Sequence, residues 1–493
     1  MLLRLDGLYG CRPGYTGYGA QGDLIEPPRG GIFFRDVARG PRIVVGGATG
    51  WAAYDSATDA WVDITPAGDP LTGNIYTPVR FTTYAQSGVV WAVGANDEDP
   101  LKRWNPATAE YVEITGAPSF RDITILANRL VGIAPYVSGI RYPSRVQWSS
   151  AADITTYPAL AINDLDLAGE ELIAISPLSR YSAAMYRAES IWLLHAQDGG
   201  DATAFAPERV SSGNDGPVSP AAVVRAGRAH YFLSKDNKIY RFDGVEPVVI
   251  SEPISGLLDE VVSPSGWSRM HGVFYARRRE IWWWLVRSGE SEPQSAFVFN
   301  VDAQRWEVEQ RFSMGVTTSI RAEDQREGSW DADDNTWDSD TTTWDAETGE
   351  PYLVLLLGLD NNTVAAFGDA PADAGAAITA TWKLPLIYAG GQAQVLLDEM
   401  ESYFAQASTA DVTAVTVNVY SLQHPLASPV LQYTGSIDLA SLVRLTNNPG
   451  DSTEWDSTNH TPGIQIEYAA QVLNHRAFQW GGGTLSIYQQ EDG

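Results

Sequence analysis

The sequence predicts an all-β chain built on a six-bladed β-propeller, followed by a C-terminal β-sandwich. Three observations predict it. Short runs rich in Val, Ile, Thr, Tyr and Trp fill the chain, each bounded by Gly, Pro, Asn or Asp, and long helical periodicity is absent. One aromatic–Asp/Asn hairpin pattern recurs. Its copies are spaced at roughly 40–50 residues, the period of a four-stranded propeller blade.

The hairpins are taken in chain order. Tyr54-Asp55 leads to Trp61 and Ile64-Thr65; Trp104-Asn105-Pro106 leads to Tyr111 and Ile114-Thr115. Looser copies are Phe242-Asp243-Gly244 with Ile250-Ser251, and Phe299-Asn300 with Trp306. The Asp or Asn side chain bonds backbone N–H groups at the turn, and the aromatics pack across the two strands. Asp55 and Asn105 are 50 residues apart, Asp243 and Asn300 are 57 apart, and the gap between the pairs leaves room for two further units. Val146 to Ser150 and Ile191 to His195 fill those places, which makes six. A sandwich of unrelated hairpins is the alternative architecture.

The predicted organisation is an N-terminal arm or first strand at 1–30, the propeller at 31–320, an acidic connecting segment at 321–378 and the sandwich at 379–493. In the connecting segment Trp330-Asp331, Trp337-Asp338 and Trp344-Asp345 recur every seven residues and read as tight turns. The strands at 352–358 and 363–367 either complete a blade or form a platform. Beyond 379, Ala414 to Tyr420 and Gly463 to Tyr468 alternate as strands with one buried face.

The chain carries 33 Lys+Arg against 61 Asp+Glu, a net charge of −28, with 17 Trp. Such aromatic content excludes a disordered chain. The summed field argues against a surface that grips polyanions overall. Cys11 is the one cysteine, so neither an internal disulfide nor a Cys-based zinc site can form. No apolar run is long enough for a membrane-spanning helix, and the first residues lack a signal-peptide pattern.

Catalytic and cofactor motifs are missing from the sequence. No His-Glu-x-x-His, Gly-x-Ser-x-Gly, Walker A or dinucleotide fingerprint is present. A pair of carboxylates for glycoside hydrolysis is conceivable among so many acids, but no turn motif marks one. Asp331 to Asn335 alternates oxygen ligands as a calcium loop does, yet Thr336 stands where the sharp turn needs Gly and Thr342 where Glu is needed. The expectation is therefore no enzyme, no cofactor and no metal. Arg277, Arg278 and Arg279 precede Trp282, Trp283 and Trp284. They read as a hairpin turn or subunit contact beside packing residues, with nucleic-acid binding the weaker reading.

Gly213 to Pro220, Tyr231 to Ser234, Lys238 to Gly244 and Pro247 to Ser251 form a string that resembles the tail nozzle or hub proteins of short-tailed phages, also known as packaged-DNA stabilisation proteins. Arg145 to Ser149 and the Trp-Asp turns are similar to other stretches of such tail chains. The resemblance spreads over most of 1–380 and carries no catalytic signature. It implies a virion protein assembled in the host cytoplasm: a homo-hexameric ring below the portal and adaptor proteins, meeting tail fibres, spikes or a needle. Double-stranded DNA would pass without tight binding. On that reading Asp331, Asp333, Asp338 and Asp345 line a lumen or an interface. A propeller that recognises a receptor or glycan is the alternative.

Overall fold

The computed structural model describes residues 14–19, 24–323 (except 75, 166–169 and 214–215) and 353–370. It also describes strands at 2–3 and 9–10 and the segments 373–374, 378–383, 387–388, 394–404, 412–422, 430–437, 444–447, 463–472 and 479–490. The four acids expected to line a lumen, Asp331, Asp333, Asp338 and Asp345, lie outside the described residues. The chain divides into two compact units, Gly17–Ala366 and a second made of Met1–Thr16 with Phe367–Gly493.

The propeller has seven four-stranded antiparallel sheets, not six. Blades 1 to 6 begin with the strands Gly30–Asp36, Arg80–Gln86, Asp122–Leu126, Leu172–Pro177, Val223–Ala226 and His271–Tyr275. Each of the six hairpins found in the sequence belongs to one of these blades. Blade 7 is built from Val316–Glu323, Leu353–Leu359 and Thr363–Ala370, with Gly14–Gly17 as its outermost strand. Just beyond that strand the Tyr18 N–H donates to the Val364 carbonyl at 2.8 Å.

Two physical reasons hide blade 7 in the sequence. Its first two strands pair as Glu323 with Leu353, although 29 residues separate them in the chain. Its outer strand comes from the other end of the chain, so it has no hairpin between its third and fourth strands to carry the aromatic–Asp marker. The strands at 353–359 and 363–370 complete a blade rather than a platform. The first strand of each blade neighbours that of the next, and that of blade 7 lies beside that of blade 1, which closes the ring.

The marker residues act as their chemistry dictates. Asp55 Oδ1 accepts from the Ala57 N–H at 3.2 Å, Asn105 Oδ1 from Ala107 at 2.7 Å, and Asn300 Oδ1 from Asp302 and Ala303 at 3.1 and 2.8 Å. In blades 1 and 6 the aromatics pair across the hairpin: Tyr54 opposite Trp61, Phe299 opposite Trp306. In blade 2, Trp104 and Tyr111 turn instead into the layer shared with blade 1. Blades present two faces, so apolar side chains on both are buried against neighbours. Separate apolar layers join blades 1 and 2, 2 and 3, 3 and 4, 4 and 5, 5 and 6, and 7 and 1.

Glu280–Leu285 shows the alternation most clearly. Ile281, Trp283 and Leu285 enter the layer with blade 5, and the Trp283 indole N–H donates to the Ala222 carbonyl at 3.3 Å. Trp282 and Trp284 stack on the other face at 5.9 Å and meet Phe312. All three indoles are fully buried. A bidentate ion pair sits near the ring closure: Arg29, just before blade 1, donates to Glu292 of blade 6 at 2.9 and 2.8 Å, with side chains 6% and 8% exposed.

The second unit contains two five-stranded sheets. One runs Leu2–Leu3, Tyr9–Gly10, Gln479–Gln490, Gln394–Phe404, Arg444–Asn447. The other runs Ile378–Lys383, Gly463–Val472, Val412–Leu422, Val430–Ile437, with Ile387–Tyr388 also pairing Gly463–Val472. The N-terminal residues therefore join a C-terminal sheet, with Tyr9 opposite Trp480. No helix among the described residues is long and apolar enough to cross a membrane.

Candidate functional site: the axial basin

Antiparallel order places two kinds of connection on one end of the ring: the links that lead into each blade's inner strand, and the loops between its second and third strands. Five blades contribute such residues to one basin of about 440 Å³. Tyr76, Asp97 and Glu98 come from blade 2 and its lead-in, Arg121 precedes blade 3, and Glu171 precedes blade 4. Lys235 lies in blade 5 and Ser268 precedes blade 6.

Arg121 organises the acidic side of the basin. It meets Asp97 at 3.3 Å and Glu171 at 2.5 Å. Burial opposes its charge, but Glu171 and Asp97 outweigh that and hold its pKa above the usual guanidinium value. Arg141 reaches the same Asp97 at 2.6 Å, and Asp97 itself sits at φ 67°. The neighbouring loop is set by Asn96, which accepts from the Glu98 and Asp99 N–H groups and donates to Asp99 at 2.7 Å. Ser219 locks the blade 5 lead-in, accepting from the Ala222 N–H and donating to the Met270 carbonyl at 2.6 Å. Across the ring, the Arg269 guanidinium lies 5.0 Å from the centre of the half-exposed Tyr76 ring. Lys235 stands 6.0 Å over Trp267.

The basin thus offers fixed carboxylates, two cations and an aromatic edge, which suits recognition of a polar ligand. Among the described residues it contains no nucleophile paired with a base. Ser176 does lie 3.2 Å from His230 Nε2, deeper in the wall. That nitrogen also faces the Pro177 carbonyl at 3.2 Å, and Nδ1 meets the Tyr186 hydroxyl at 2.8 Å. A carbonyl can only accept, so Nε2 carries the proton and Nδ1 accepts from Tyr186. His230 therefore gives Ser176 no base. Burial pushes the pKa of His230 and of His271 down to about 4. Among the described residues no three His, Cys, Asp or Glu gather as a metal would need.

The residues singled out by sequence fall elsewhere. Arg277, Arg278 and Arg279 form the turn between the first two strands of blade 6, at the opposite end of the ring from the basin. Arg279 adopts φ 57° and pairs with Asp302 at 3.3 Å. Trp282, Trp283 and Trp284 are packing residues inside the protomer. Sequence reading missed Asp97, Arg121, Glu171 and Lys235 because they lie far apart in the chain and no local motif joins them. Two of them share a position: Arg121 and Glu171 each immediately precede an inner strand, whereas Asp97 and Lys235 lie in the loops after second strands. The sequence matches no protein-family model and no curated protein.

Proposed function

We propose that the chain is a structural subunit of a short-tailed phage tail, a nozzle or hub ring through which DNA is retained and ejected. The observation that carries this is the string that runs from Gly213 to Ser251. It resembles that family, and its described residues cover blade 5: a bridge from Pro217 to Ser234, then Val223–Ala226, Ala229–Leu233, Ile239–Phe242 and Val248–Val249. The charge of −28 supports the reading, because a wall that repels phosphates lets DNA pass with little friction. On this reading six copies form a ring below the portal and adaptor, fibres or spikes attach outside, and the two C-terminal sheets stack as a sandwich.

Quantitative mass spectrometry of purified phage particles tests the proposal. About one chain to two portal subunits is expected from the six-to-twelve stoichiometry that the resemblance implies. Absence from the particles would refute it. The axial basin favours a second reading, a recognition module for a polar ligand such as a glycan. Glycan-array binding abolished by Tyr76→Ala and Glu171→Gln would establish that reading instead.

A further inference from the structure

We infer that the propeller carries an oxyanion-binding site for a tetrahedral phosphate-type group at the end of the ring opposite the axial basin. The first strands of blades 5, 6 and 7 enclose a hollow of about 460 Å³ there, lined by Val224, Arg225, Gly272, Val273, Phe274 and Arg321 among others. Among the described residues, no acidic one lines it.

Acids outnumber bases almost two to one in this chain, and many of its arginines, Arg29, Arg121 and Arg187 among them, meet carboxylates. Neither Arg225 nor Arg321 has a carboxylate partner among the described residues. The nearby Glu323 is already engaged by Arg35 through two bonds, at 3.1 and 2.6 Å.

The geometry favours a small, highly charged ligand. Arg225 Nε donates to the Gly227 carbonyl at 3.3 Å, which orients the side chain and leaves its terminal N–H groups for a ligand. Gly272 keeps the floor low; a Cβ there would stand 2.6 Å from Val224 and 2.8 Å from Trp283. Two guanidinium groups on one concave wall repel each other, and an oxyanion between them relieves that repulsion. Each can donate paired N–H bonds to it. The site stands independently of the proposed tail role.

The test is ³¹P line broadening of inorganic phosphate by the full chain, at ionic strength held constant with chloride. Broadening is expected for the natural chain. Arg225→Gln and Arg321→Gln should each weaken affinity about tenfold, the loss of one charge-assisted contact. Arg180→Gln, on the turn after the first strand of blade 4 and outside the hollow, should bind as the natural chain does. Unchanged melting of each variant checks folding, and Arg321→Lys, which keeps the charge, should lose less than Arg321→Gln. Competition by a short oligothymidylate would assign the site to backbone phosphodiesters, and its absence to free phosphate. No broadening, broadening that survives both Gln variants, or equal loss in Arg180→Gln would overturn the inference.

Discussion

Replacing Glu280 by Gln should stabilise the propeller in alkaline solution and leave it nearly unchanged in acid. Glu280 opens the second strand of blade 6 and is almost wholly buried, as is Glu307. Burial raises its pKa from 4.5 to about 7; Glu307 adds to the rise, and Arg278 and the Trp282 hydrogen bond at 3.0 Å reduce it. The sign follows from proton linkage. Between pH 4.5 and 7 the folded chain holds a proton that the unfolded chain has released. Stability from this group is therefore complete below the unfolded pKa and lost as pH rises through about 7. The loss comes to about 3 kcal/mol. Gln keeps an oxygen for the Trp282 indole N–H but never ionises. Urea denaturation of both proteins, followed by Trp fluorescence, should therefore show Glu280→Gln favoured by about 3 kcal/mol more at pH 8 than at pH 4. Comparison of variant with natural chain cancels the other titrating groups. A difference that does not change with pH would refute the reasoning.

Four further outcomes are expected. His230 and His271 have folded pKa values of about 4, below 6.5, so their contribution is complete above pH 6.5 and lost as pH falls to about 4. Each accounts for about 3 kcal/mol, and His230→Gln should flatten the acid limb of the stability curve. Arg29→Ala or Glu292→Ala should each cost about 3–5 kcal/mol by stranding a buried charge, while Arg29→Met with Glu292→Leu should recover most of that, measured as a double-mutant cycle. Trp283→Asp should cost more than the ~3–5 kcal/mol of a large-to-small core change, because it also buries a carboxylate; a soluble variant that melts like the natural chain would count against the packing described. Deleting residues 1–17 removes the outer strand of blade 7, so the melting temperature should fall and amide exchange should quicken first in Thr363–Ala370.

The sequence by itself determined the all-β class, the propeller and six of its blades. It could do so because the marking interactions are local. Asp55 bonds the backbone two residues on, and Tyr54 packs on Trp61 across a four-residue turn. The strand period likewise puts Trp283 on the face opposite Trp282 and Trp284 from the sequence alone. Only the tertiary structure decided what joins distant residues. Blade 7 unites strands near residue 14, residue 316 and residue 363, and no local signal links a strand to one some 350 residues away. Arg29 finds Glu292 across 263 residues. The axial basin draws residues from the links and loops of five blades that lie far apart in the chain. Ring closure is what brings them together: the inner strands must lie side by side around one axis, so residues at equal offsets from those strands converge whatever their distance along the chain.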